Sequence, residues 1–304
     1  MTALFENLAS PFVFDFMQQA FVMVLVLAVP TAILSCFLVL KGWSLMGDAI
    51  SHSVLPGIVI AYVLAIPFAI GAFVAGIGCA VFTGYIKEHS RLKEDTVMGI
   101  VFSAMFALGL LLISKIETDV HLDQILYGDL LGSSWSGILE VAIVSLAVCT
   151  FLFVQGKNLL LYVFDKLHAQ AIGLSVRFLH YALLSVLSIT IVFALKSVGM
   201  ILVIAMLITP GAIAFLITRN FYKMLVISVG VSCSCAILGI YLSFFIDSAP
   251  APTIIMLLAA LFISVFSYSS LKVKKLTKRT IKHEKKHVAK GAWLGYPCRL
   301  RNQC

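Results

Sequence analysis

Gln18-Gln-Ala-Phe-Val-Met-Val-Leu-Val-Leu-Ala-Val-Pro-Thr-Ala-Ile-Leu-Ser-Cys-Phe-Leu-Val-Leu40 runs for 23 residues without a charged side chain. Coiled at about 1.5 Å per residue, such a run spans the hydrocarbon core of a bilayer, roughly 30 Å thick. Similar runs follow at about 44–65, 67–86, 96–114, 137–155, 178–195, 198–218, 222–246 and 253–271 of the 304 residues. The pattern predicts an all-α, polytopic helical membrane protein with eight or nine transmembrane helices. Composition agrees: 12% of residues are charged and 61% hydrophobic, where a soluble domain carries about 25% charged residues. Met1 to Phe16 holds Glu6 and Asp15 but no Lys or Arg, so no cleavable signal with a positive leading region is expected.

The net charge of +8 is unevenly placed. From Lys272 onward there are 11 Lys and Arg against the single acid Glu284, whereas the preceding chain has 11 against 13 acids. The excess is a property of the tail and gives no ground for a nucleic-acid partner. A basic segment after a last span predicts a cytoplasmic C-terminus beside anionic lipid. The expected division is a transmembrane domain, 1–271, and a disordered basic tail, 272–304. Between spans, basic stretches (Lys87 to Asp95, Lys157 to Arg177, Arg219 to Lys223) alternate with acidic or neutral ones (Lys115 to Asp129, Asp247 to Pro252). The basic stretches are assigned to the cytoplasm and the N-terminus to the outside. Lys196 is the exception.

Gly42-Trp-Ser-Leu-Met-Gly-Asp-Ala-Ile-Ser-His-Ser-Val-Leu-Pro-Gly57 places Asp48 and His52 inside an apolar stretch. Four residues apart, they share a helix face. Ionisable groups are costly at membrane depth and persist where they line a path or bind something. Carboxylate and imidazole are both ligands for Mn, Fe or Zn, and the lack of a nearby Cys or Met argues against Cu(I). The plain alternative is a polar pair satisfied by itself or by Ser44, Ser51 and Ser53. Counted from Lys41 along one helix, His52 would lie about 16 Å deep. Pro56-Gly57 is expected to interrupt the span. Two ligands suit a permease that must release its cargo. Ala72, Gly76, Ala80 and Gly84 form a small-residue row that reads as packing. The seven cysteines are scattered, and no disulfide or zinc site is assigned.

Two further segments carry chemistry. Asp119, His121 and Asp123 lie in the expected outer segment, either as a solvated acidic loop or as a receiving surface for a metal-loaded partner. Phe164 to Leu174 reads as a short helix with Leu167, Ala171 and Leu174 near one face and Gly173 as its stop. It is either an ordinary interfacial helix or one that inserts into a cytoplasmic motor subunit. No phosphate loop of the form Gly-x-x-x-x-Gly-Lys-Ser/Thr is present, so any ATP hydrolysis belongs to another chain. With no nucleophile elbow or paired-carboxylate site, the chain is read as a non-enzyme, with no permanently bound cofactor.

Lys41 to Gly57, Asp119 to Asp129, Asp165 to Gly173, Val198 to Pro210 and Asp247 to Thr253 together resemble the permease subunits of bacterial ABC importers for zinc, manganese and iron. The manganese/iron branch is the most similar. The Gly-Asp-Ala-x-Ser-His-x-x-x-Pro-Gly block is the specific part. Ala251 stands where many members have Gly. The resemblance implies an ABC importer permease fold in the inner membrane, a permease dimer of two copies or of paralogues, a cytoplasmic ATP-binding subunit and a periplasmic metal-binding protein. It also implies that Asp48 and His52 are the metal ligands of the path, and that Asp165, His168, Ala171 and Gly173 belong to the coupling helix. The function expected is ATP-driven import of Mn(II) or Fe(II), with Zn(II) as the alternative metal. The rivals are a permease for a metal chelate such as a siderophore, an ion-coupled secondary transporter and a membrane scaffold.

Overall fold

The computed structural model describes residues 10–43, 45–92, 94–115, 128 and 130–292, with 10, 88, 94, 95 and 273–292 described by backbone alone. Ten α-helices follow in order: α1 Asp15–Lys41, α2 Met46–Val63, α3 Phe68–His89, α4 Glu94–Lys115, α5 Trp135–Phe164, α6 Lys166–Ala171, α7 Val176–Val198, α8 Met200–Ile217, α9 Phe221–Ile246 and α10 Pro250–Ala292. Among the described residues nine of these, all but α6, are long and apolar enough to cross a membrane. The nine apolar runs of the sequence each correspond to one helix.

Because the spans are apolar on every side, no polar stripe dictates how they pack. Close approach does so instead. α1 lies at the centre, against α5, α7, α8 and α9. Its Ser35 hydroxyl donates to the Ile208 carbonyl at 3.1 Å and accepts from the Gly211 N–H at 2.9 Å. The Ser228 hydroxyl of α9 donates to the Ala32 carbonyl at 2.9 Å. α2 packs on α3, α4, α7 and α8. Gly57 and Gly71 form the α2–α3 crossing, and Gly109 of α4 lies against Leu55 and Pro56. The small-residue row of α3 packs as its spacing implied: Ala72 and Ala80 are buried, and Gly76 lies between Ile50 of α2 and Ser188 of α7.

Two expectations are corrected. Pro56 and Gly57 lie inside an unbroken α2. One missing N–H costs a single helical hydrogen bond, and neighbouring helices hold the backbone around it. Second, Lys41 ends α1 and α2 begins at Met46, beyond a tight turn at Gly42. The rise to His52 is therefore counted from Met46 and is about 9 Å, not 16 Å. α10 continues through the composition change at Lys272 to Ala292. Lys, Arg and Glu are good helix formers, and no Gly or Pro intervenes before Gly291.

The two ends of the bundle differ. At one end the α1–α2 turn, the end of α5, α6 and the start of α7 converge, as the contacts of Trp43 and Tyr162 with His180 record. At the other, Gly128 abuts the Val198–Gly199 junction, and Lys196 of α7 pairs with Glu140 of α5 at 3.3 Å. That pair accounts for Lys196, the one basic residue out of step with the charge alternation.

Candidate functional site

Asp48 occupies the first turn of α2 and His52 lies one turn on. His52 Nε2 is 3.3 Å from Asp48 Oδ1, with the imidazole 25% and the carboxylate 32% exposed. They interrupt an otherwise buried stretch of α2: Ala49, Ile50, Ser51, Ser53, Val54 and Leu55 are all enclosed. The Ser51 hydroxyl donates to the Gly47 carbonyl and the Ser53 hydroxyl to the Ile50 carbonyl. Neither is spent on the pair, so the simple reading in which these serines satisfy Asp48 and His52 is not what forms. Ser44 lies outside the described residues.

Phe102 and Phe106, one turn apart on α4, cover the imidazole. Phe102 is stacked at 5.8 Å and Phe106 is edge-on at 5.0 Å. His52 Nδ1 is buried without a hydrogen-bond partner. Pro56 carries no N–H, so the His52 carbonyl lacks its usual donor four residues on. His52 thus brings an imidazole nitrogen without a partner beside a carboxylate. Among the described residues no cluster of three or more His, Cys, Asp or Glu side chains is assembled. Asp119, His121 and Asp123 lie outside the described residues.

The segment from Asp165 to Gly173 is a capped helix. Asp165 Oδ1 accepts from the His168 N–H at 2.9 Å. At the far end Gly173 has φ of +86°, and its N–H donates to the Gln170 carbonyl while that of Leu174 reaches Ala169. This left-handed stop explains the glycine. The buried face differs from the expected one. Ala169 is fully enclosed, Leu167 and Ala171 are exposed, and Leu174 is half-buried. A methyl group lets the six-residue helix lie close on the bundle, which a Leu could not. Phe164, Leu167, Ile172 and Phe178 are left exposed around a polar rim that includes His168.

Sequence reasoning missed the aromatic cover over His52 and the residues that meet at His180. The available signals were Phe102 and Phe106 at helical spacing, and an isolated His180 near the start of an apolar run.

The match to the model of the ABC 3 transport family runs over residues 13–269. The chelated iron transport system membrane protein YfeD of Yersinia pestis is 54% identical over 272 residues, covering 90% of this chain and 92% of that protein. The manganese transport system membrane protein MntB of Synechocystis is 47% identical over 256 residues, 84% of each chain. Among solved structures, PsaBC from Streptococcus pneumoniae in complex with Fab superposes with a TM-score of 0.77 at 36% identity, covering 88% of this chain and 95% of that one. An inward-facing metal-chelate type ABC transporter shares the fold, with a TM-score of 0.62 at 19% identity and coverage of 84% and 86%. This chain belongs to the ABC 3 transport family.

Proposed function

We propose that the chain is the inner-membrane permease subunit of an ATP-driven importer for Mn(II) and Fe(II), and that Asp48 and His52 form the ion's resting place in the path. The observation that carries this reading is the 3.3 Å contact of carboxylate and imidazole on the half-open side of an otherwise enclosed stretch of α2. One chain supplies two side-chain ligands. A second copy or a paralogue facing this side of α2 doubles the set to a mixed oxygen and nitrogen shell, suited to Mn(II) and Fe(II). A fully wrapped chelate would gain little from such ligands; the relatives are named for manganese and for chelated iron, which leaves Zn(II) the weaker choice.

The energy source is a separate cytoplasmic ATP-binding subunit that docks on α6, with Phe164, Leu167 and Ile172 as its apolar contacts and Asp165, His168, Ala171 and Gly173 shaping the helix. The basic loops support assigning this end and the C-terminus to the cytoplasm. A periplasmic metal-binding protein delivers the ion on the opposite side, where Asp119, His121 and Asp123 are candidate receivers. Alternating access follows when α6 displacement closes one side of the path and opens the other.

The test is metal accumulation in a bacterial host lacking its own manganese and iron uptake, with and without the partner subunits. ATP-dependent accumulation of Mn(II) or Fe(II) that needs all subunits supports the reading. Accumulation driven by an ion gradient without the ATP-binding subunit would overturn it in favour of a secondary transporter.

A further inference from the structure

Side chains from α1, the α1–α2 turn, α5 and α7 meet at the α6 end of the bundle. Tyr162, 2% exposed, lies in the last turn of α5, and its hydroxyl is 2.9 Å from His180 Nδ1 on α7. Trp43, 3% exposed, stands edge-on to the His180 ring at 5.2 Å and 76°. Lys41 Nζ sits 4.0 Å from the Tyr162 ring centroid and 5.8 Å from that of Trp43. On the far side of the imidazole is α3, where a Cβ at Gly84 would stand 3.6 Å from His180 Nε2.

The cluster lies between the two parts that the proposed function must connect. α6 packs chiefly on α5 and α7, and the Tyr162–His180 contact ties those two helices together. Tyr162 precedes the Asp165 cap by three residues. On the other side, the Trp43 N–H donates to the Leu38 carbonyl at 2.8 Å and the Met46 N–H donates to the Trp43 carbonyl at 3.0 Å. The main chain at Trp43 therefore links the end of α1 to the start of α2, and Asp48 is the third residue of α2. Aliphatic contacts between apolar spans can slide past one another. A hydrogen bond and a cation over an aromatic face are directional and fix one register. Close-packed aromatic rings also pass on displacement instead of absorbing it.

We propose that Trp43, Tyr162 and His180 are positioning residues that pass the displacement of α6 to the first turn of α2, and so to Asp48 and His52. They touch no cargo themselves. This inference rests on the permease reading above.

The experiment uses the complete transporter, permease with its ATP-binding subunit and binding protein, in proteoliposomes, and reads Mn(II) ions imported per ATP hydrolysed. His180→Ala and Trp43→Ala are expected to lower that ratio by about tenfold, within the range for cutting one link of a coupling network. ATP hydrolysis and Mn(II) affinity should stay near wild type. His180→Gln, which can still bond the Tyr162 hydroxyl, is expected to recover part of the ratio. Tyr162→Phe removes one oxygen while keeping the ring under Lys41, so it carries the same test if the alanine variants do not assemble. A wild-type ratio in Tyr162→Phe and Trp43→Ala, or a parallel fall of hydrolysis and uptake, overturns the relay. Wild-type vesicles that import no Mn(II) or Fe(II) on ATP addition overturn the permease reading instead, so the two failures are distinguishable.

Discussion

Gly57 of α2 and Gly71 of α3 meet backbone to backbone. A Cβ on Gly57 would overlap the Gly71 carbonyl, and a Cβ on Gly71 would overlap that of Gly57. The helix that bears Asp48 and His52 is thus located by a close crossing, where dispersion contacts take the place of the hydrophobic drive available in water.

Gly57→Ala or Gly71→Ala should therefore force α2 and α3 apart at a cost of about 1–3 kcal/mol, as overpacking does elsewhere. Thermal unfolding of the purified protein in detergent checks this. Gly78→Ala is the matched control, since nothing lies within 4 Å of its Cβ position. Equal melting of Gly57→Ala and Gly78→Ala would show that the crossing is looser than described.

Asp48→Ala and His52→Ala should each abolish metal accumulation, while the permease still inserts and still binds its ATP-binding subunit. Accumulation assays paired with co-purification separate the two effects. Wild-type uptake in either variant would remove the pair from the path. Uptake by the unaltered protein should also weaken on acidification, because an imidazole must be unprotonated to ligate a metal.

Gly173→Pro should uncouple ATP hydrolysis from transport. Proline is held near φ −65° and has no N–H, whereas Gly173 has φ of +86° and donates to Gln170. Gly173→Ala should be milder, at about 1–2 kcal/mol for a left-handed L-residue. Asp165→Ala, losing the cap on His168, should cost the short helix about 1 kcal/mol. Hydrolysis and uptake measured together decide the matter, and unchanged coupling in Gly173→Pro would exclude α6 as the docking helix.

Truncation after Leu271 should leave uptake largely intact, because the residues that follow are strongly basic and lie beyond the apolar part of α10. Total loss in an accumulation assay would show that the helical continuation to Ala292 contributes more than membrane-surface attraction.

The spans were legible because charge-free runs of spanning length have few other uses. The Asp48/His52 pair was legible because its spacing and its cost stand out against apolar neighbours. The depth of the pair was not, because the Gly42 turn reverses the chain within four residues and an apolar turn looks like more helix. Pro56 misled for a related reason: it removes one donor, but the packing of Gly57 on Gly71 and of Gly109 on Pro56 keeps the helix whole. The buried face of α6 turned on Ala169, where a small side chain won over a larger apolar one by allowing closer contact. His180 could not be connected with Trp43 or Tyr162 from sequence, since more than a hundred positions separate the first two.

The turn at Gly42 has an electrical consequence. On the proposed orientation and site, with the Lys41 end inward, an ion held at His52 would sit about a third of the way along α2 from its cytoplasmic start, with most of the voltage drop already behind it. Each elementary charge crossing a potential of 100 mV, negative inside, gains about 2.3 kcal/mol, so a divalent ion collects roughly twice that over the full drop. The larger share is collected on arrival at the pair and the smaller on departure. A resting cell's voltage would therefore help fill this site more than empty it, leaving release to the movement that ATP drives.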